Sequence, residues 1–146
     1  MNDLEFRLLN ARVAERAYLI FCETVAWLRE KNIQLWEKPI PRAVYFARQN
    51  RSENFGLFAD AELAVIVSLT DVPDYWADCV AEADARWLCT LATANRFRGR
   101  GLGRHTVKMA LAEQEQSALY LDCKPGFLEQ FYEDLGFEAL EKRELV

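Results

Sequence analysis

"RWLCTLATANRFRGRGLGRHTV", Arg86–Val107, runs from an apolar segment into a loop that holds three glycines and four arginines between Asn95 and Arg104. Arg86–Thr93 is apolar at nearly every position, as a central strand covered on both faces should be. The apolar spacing of Val107, Ala110 and Leu111 then predicts a helix to about Gln116. Glycine costs backbone entropy and clustered arginines repel one another, so a ligand that offsets both is expected at the loop. Three ligand classes fit such a loop: a nucleic acid, a dinucleotide, and some other phosphate-bearing molecule.

Charge separates them. The chain carries 18 basic and 23 acidic residues, a net −5. Arg96–Lys108 alone holds four Arg, one Lys and no acid, or +5, so the rest stands at 13 − 23 = −10. A nucleic-acid-binding domain is usually basic as a whole, whereas one basic island in an acidic chain suits a compact polyanion bound at one spot. No nucleic-acid partner is therefore expected.

The 146 residues fit a single domain, 1–146, and a chain of this length buries roughly 70% of its unfolded surface. An apolar fraction of 51% with 12% aromatics excludes a disordered chain. The longest apolar runs, "AYLIF" and "LAVIV", fall far short of the ~20 residues that span a bilayer, so no membrane association is expected. The first residues, "MNDLEF", do not resemble a signal peptide. Cys22, Cys79, Cys89 and Cys123 match no zinc or disulfide spacing, and three of them lie in apolar surroundings, as buried thiols do. A reducing cytoplasm is the expected compartment, with no metal site.

Working outward, "LEFRLL" alternates Leu4, Phe6 and Leu8 with Glu5 and Arg7 and reads as a strand. Ala11–Lys31 repeats apolar residues at helical steps, and the prolines of "NIQLWEKPIP" break it. Arg42–Asn50 reads as a short helix, and Phe55–Ala59 with Leu63–Thr70 as a hairpin closed by "DAE". An acidic connection, Asp71–Ala85, leads to the central strand. Beyond the loop and its helix, "ALYLDC" reads as a strand parallel to Arg86–Thr93 through a right-handed crossover. "GFLEQFYEDLGF" reads as a helix capped by Gly136, and a last strand is expected from Phe137. The expected order is β-α-α-β-β-β-α-β-α-β, an α+β mixed sheet.

Loop chemistry narrows the ligand further. A Walker loop, GxxxxGK[ST], has no match here. Gly99, Gly101 and Gly103 run G-x-G-x-G instead of G-x-G-x-x-G, and five residues separate Thr93 from Gly99. Both features argue against a dinucleotide turn, although Asp122 stands about 20 residues on, where a ribose-binding acid would be. Arg98-x-x-Gly101-x-Gly103 at a helix start allows backbone N–H groups to turn inward around an anion, with the helix N-terminus and Arg98, Arg100 and Arg104 adding charge.

That spacing resembles the acyl-CoA signature [QR]-x-x-G-x-[GA] of the GNAT N-acetyltransferase superfamily. The likeness extends through "LCTLATANRFRGRGLGRHTV", the following "LYLDC", the helix ending "FYEDLGF", and the earlier "WLREKNIQLW", covering Leu4 to Phe137 in order. The resemblance implies a mostly antiparallel sheet flanked by helices, with one parallel βαβ crossover splayed to hold CoA. It implies acetyl transfer from acetyl-CoA to a primary amine, on a small molecule or a peptide, by direct attack and without a covalent enzyme intermediate. A non-catalytic acyl-CoA sensor with the same fold is the alternative. Three departures stand out. "DCKPGFLEQFYE" is about two residues short of the family pattern and lacks its asparagine. Asn95 stands where proline is common, and little chain follows Phe137 for a seventh strand, an edge that a homodimer could complete.

Carried over residue by residue, Leu91, Ala92 and Thr93 would pair through their backbone with pantetheine. Arg98, Gly99, Arg100, Gly101, Leu102, Gly103 and Arg104 would hold the pyrophosphate. Tyr132 would protonate the departing thiolate, a role that its place on an apolar helical stripe does not require. His105, in the first turn of the phosphate helix, would meet phosphate through a ring N–H in preference to acting as a base. Glu23, Glu82 and Asp84 are candidate bases acting through water. Trp27, Trp36, Tyr45 and Trp76 could line an acceptor pocket or simply pack.

Overall fold

The computed structural model describes residues 3–33, 38–114, 117–124 and 126–140. Asn10 caps the first helix, accepting the Arg12 N–H at 2.9 Å, and the elements follow in the order β1 (Leu4–Leu8), α1 (Ala11–Glu30), α2 (Arg42–Asn50), β2 (Asn54–Ala59), β3 (Glu62–Asp71), β4 (Arg86–Thr93), α3 (Leu102–Glu113), β5 (Leu119–Tyr120) and α4 (Phe127–Asp134). The acidic connection contains a 3₁₀ turn at Asp74–Cys79. One five-stranded sheet runs β1-β2-β3-β4-β5, antiparallel except for the parallel β4–β5 pair. The hairpin between β2 and β3 closes on Asp60 and Ala61, both at positive φ (49° and 69°), which suits the twist of a two-residue turn.

The sheet is buried on both faces. α1 and Tyr45 of α2 share a core with Phe58, Ile66 and Ala92 through Ile20, Phe21 and Val25. Val107 and Ala110 of α3 pack with Val67, Leu69 and Leu88, joined by Phe131 and Tyr132 of α4 and by Leu135 at its C-terminal end. That second cluster is what lays α4 beside the C-terminal half of β4.

Two expectations need correction. "ALYLDC" forms a ladder only at Leu119–Tyr120, because β5 diverges from β4 after two rungs, Arg86↔Leu119 and Trp87↔Tyr120. Phe137–Leu140 form no strand. Phe137 is instead drawn back onto α4: its N–H donates to the Tyr132 carbonyl at 3.1 Å while the Gly136 N–H donates to Glu133 at 2.9 Å. This is the 6→1 and 5→2 pair of a Schellman end, with Gly136 at φ 100°. The glycine therefore ends the helix as expected and turns the chain away from the sheet. The expected end of the loop helix near Gln116 lies outside the described residues; α3 itself stops at Glu113.

Candidate active site

β4 supplies the floor of the site. Beyond Trp87 its edge toward β5 has no strand partner among the described residues, so Leu91, Ala92 and Thr93 lie where the two strands have parted. The opposite edge remains paired with β3, up to Val65↔Thr93. Within that pairing β4 carries one extra residue: Cys89 faces Ser68 and Ala92 faces Ile66, leaving Thr90 and Leu91 against Val67 alone. Thr90 takes φ 55°, the one β-branched residue at positive φ among those described. Left-handed backbone at a residue with a branched Cβ costs about 1–2 kcal/mol, so something must hold it. Arg48 of α2 donates from Nη1 to Thr90 Oγ1 at 2.7 Å. The bulge and its arginine left no mark in the sequence; a threonine in an apolar strand carries no signal of its own backbone angle.

At the C-terminal end of β4 the chain makes a short turn, Asn95–Phe97, and enters the glycine loop. Gly99 and Gly101 both adopt left-handed backbone (φ 77° and 75°), and a Cβ at either would meet no atom within 4 Å. Gly103 is different: its φ is ordinary and a Cβ would touch Thr93 Oγ1 at 3.7 Å without strain. Gly101 is the N-cap of α3, and among the described residues no side-chain hydrogen bond caps that helix. Arg100 and Arg104 are exposed around it, Arg100 with its guanidinium 5.5 Å from the Phe97 ring centre. Left-handed glycines opening onto clear space, an uncapped helix N-terminus and exposed arginines fit a pyrophosphate, and the unpaired β4 edge fits an amide-bearing arm. The acyl-CoA requirement is thus met by the residues present.

Arg98 is placed differently from its neighbours. Its Nη2 donates to Thr24 Oγ1 at 3.1 Å and to Asn95 Oδ1 at 2.9 Å, and Nε donates to the same Asn95 oxygen at 3.1 Å. The guanidinium lies 4.4 Å from the centre of the Trp27 ring, a cation–π contact. Thr24 also points its hydroxyl at the Ile20 carbonyl, 2.9 Å, with the Thr93 carbonyl 3.3 Å away. Burial lowers the Arg98 pKa, and the nearby Glu23 opposes that shift. Arg98 thus ties the loop to α1 and the end of β4. Asn95, where proline is common in the resembled family, is the acceptor that makes this clamp bidentate.

Tyr132 is half-buried on α4, edge-on to Phe131 at 5.1 Å and to Phe137 at 5.7 Å. The Phe137 contact is the apolar pairing that accompanies a Schellman end, so the Gly-Phe of "FYEDLGF" fixes the tyrosine ring. Its pKa is pushed up to about 12, chiefly by burial and further by the acidic groups of Cys123, Asp122 and Cys89. Such a phenol keeps its proton at neutral pH and is available there to donate it in a hydrogen bond. Those three neighbours place it beside β4 and the segment that leaves β5.

The remaining candidates scatter. Glu23 pairs with Arg16 at 3.1 Å on α1. Glu82 accepts from the Tyr120 hydroxyl and Asp84 from the Ser117 hydroxyl, both at the end where β4 and β5 remain zipped. His105 is half-buried in the first turn of α3, its N–H bonded to the Gly101 carbonyl. Trp76 stacks on Trp87 (6.3 Å) and donates to Asp122 at 3.3 Å. Tyr45 is 1% exposed and belongs to the core, not to a pocket wall. Trp36 lies outside the described residues. None of the four thiols forms a disulfide, and none is fully buried: Cys22, Cys79 and Cys89 are half-buried and Cys123 is exposed. No metal-binding group of three or more His, Cys, Asp or Glu occurs among the described residues, and no described helix is long and apolar enough to cross a membrane.

Comparison with known proteins gives the same picture. The sequence profile of the Acetyltransferase (GNAT) family matches residues 14–137. An uncharacterized N-acetyltransferase of Bacillus subtilis, YesJ, is 27% identical over 139 residues, covering 87% of this chain and 77% of that protein. In fold, the chain is similar to a GNAT-family acetyltransferase of Listeria monocytogenes, with TM-score 0.84 at 21% identity over 96% of this chain and 89% of the other. It is also similar to a Brucella melitensis GNAT acetyltransferase solved with acetyl-CoA, with TM-score 0.68 at 14% identity over 95% and 85%.

Proposed function

Since this chain belongs to the GNAT acetyltransferase family, we propose that it transfers the acetyl group of acetyl-CoA to a primary amine on a small molecule or peptide. The observation that carries the reading is that one strand, β4, offers both an unpaired edge beyond Trp87 and, at its end, a loop of two left-handed glycines leading into an uncapped helix. Acetyl-CoA would supply the activated acyl group as a thioester. Backbone groups of Leu91, Ala92 and Thr93 would bind the pantetheine arm. Amides from Gly99 to Arg104, with the exposed Arg100 and Arg104, would bind the pyrophosphate, while Arg98 would hold the loop in shape. The neutral acceptor amine would form the new C–N bond as the C–S bond breaks, its nitrogen giving up a proton to water, and Tyr132 would donate a hydrogen bond or proton to the departing sulfur. Free thiols suit a reducing cytoplasm as the place of action.

Two measurements test this. CoA at about a hundredfold excess over its dissociation constant should stabilise the protein by ~2.7 kcal/mol, read as a rise in melting temperature. A screen of amines for thiol release from acetyl-CoA should find one that accelerates it. Gly101→Val, which puts a branched Cβ at φ 75° in the clear space before α3, should abolish the shift. A melting curve unmoved by millimolar CoA would remove the cofactor reading. A shift with no turnover for any amine would favour the sensor alternative.

A further inference from the structure

Arg48 is the residue of α2 that reaches the bulge. Among the described residues it makes no ion pair, although Arg51 and Arg86 do: Arg51 pairs with Glu53 at 3.0 Å and Arg86 with Asp71 at 2.8 Å. It is committed instead to neutral acceptors, Thr90 Oγ1 at 2.7 Å and, more distantly, Ser68 Oγ at 3.5 Å. Those acceptors are themselves fixed. Ser68 donates to Asn54 Oδ1 at 2.7 Å, and the Asn54 amide donates to the Tyr45 carbonyl and to Gln49 Oε1. Gln49 in turn donates to the Leu9 carbonyl at 2.7 Å. A charged donor is thus seated by a polar network and aimed at the hydroxyl of the one β-branched residue at positive φ among those described.

The register gives the consequence. Trp87↔Tyr120 is the last rung to β5, and Thr90 begins the extra residue three positions further on. A bulge bends its strand and raises the local twist. We propose that Arg48 is a positioning residue: by holding Thr90 in the left-handed conformation it bends β4 away from β5 and sets the opening of the cleft. It acts on the cofactor through the backbone, without touching it. The role rests on the reading that this cleft takes acetyl-CoA.

Thr90 itself provides the test, because glycine adopts φ 55° unaided. CoA affinity by calorimetry is the readout, with urea denaturation alongside to confirm that each variant is folded. Arg48→Ala should weaken CoA binding about tenfold, as expected for losing a hydrogen bond from a charged donor. Thr90→Ala, which keeps the Cβ but loses the acceptor, should do the same and does not depend on Arg48→Ala folding. Thr90→Gly should bind like the wild type, and adding it to Arg48→Ala should restore affinity to within about threefold. Undiminished CoA binding in Arg48→Ala or in Thr90→Ala would overturn the proposal. So would an Arg48→Ala defect that Thr90→Gly fails to repair, since that would mean direct contact with the ligand. A wild type that binds no CoA would instead end the acetyl-CoA reading, and the positioning role with it.

Discussion

At Tyr132 the chemistry and the packing can be separated by one atom. The ring is wedged between Phe131 and Phe137, so removing the hydroxyl leaves both edge contacts in place. With the phenol pushed up to about 12, full proton transfer to a thiolate of pKa about 8.5 runs uphill, so in the proposed reaction Tyr132 would serve the departing sulfur mainly as a hydrogen-bond donor. Tyr132→Phe should therefore lower turnover about 10²-fold or more while leaving CoA affinity nearly unchanged, measured by steady-state kinetics beside calorimetry. Wild-type turnover in the variant would leave Tyr132 a packing residue.

Among the elements, α4 shows how a sequence pattern becomes a placement. Gly136 at φ 100° lets the chain reverse so that Phe137 lands on Tyr132. Gly136→Ala should cost about 1–2 kcal/mol of stability in urea denaturation and lower turnover, with CoA affinity preserved because the glycine loop is untouched. The helices and the antiparallel strands were readable because their signals are local: apolar periods, the prolines after α1, and the capping glycine. The shape of the glycine loop was readable for the same reason, since Gly99 and Gly101 announce their backbone angles by being glycine. What the sequence hid depends on contacts between distant segments. β5 looks like six strand residues in "ALYLDC", yet its ladder ends at Trp87↔Tyr120, three residues before the bulge at Thr90, whose hydroxyl is bonded by Arg48 some forty residues earlier. Arg98 likewise looks like a free phosphate ligand until Thr24 and Trp27 of α1 are brought beneath it.

For the whole molecule, two phenols tie stability to alkaline pH. Tyr132 is held up to about 12, and burial also raises Tyr45, whose hydroxyl is buried without a hydrogen-bond partner among the described residues. The unfolded chain releases these protons near pH 10, so above that pH the folded state binds more of them. Burial raises the Cys89 and Cys123 thiols as well, so stability should hold below about pH 8.5 and fall as pH rises through about 12, seen as a lower urea midpoint at pH ~11 than at pH ~8. Tyr45→Phe should shrink that fall and, at pH 7, leave stability unchanged or raise it by about 1 kcal/mol, because the unsatisfied hydroxyl is gone. The Arg98 clamp bears on the molecule in another way. A loop of three glycines and four arginines would, left alone, sample many shapes and have to freeze when a ligand arrives. Stacked on Trp27 and bonded to Thr24 and Asn95, it is ordered when the protein folds, so the immobilisation entropy is already spent before any encounter. Capture of the anion can then proceed at a speed governed by diffusion and the attraction of the basic island, without waiting for the loop to rearrange.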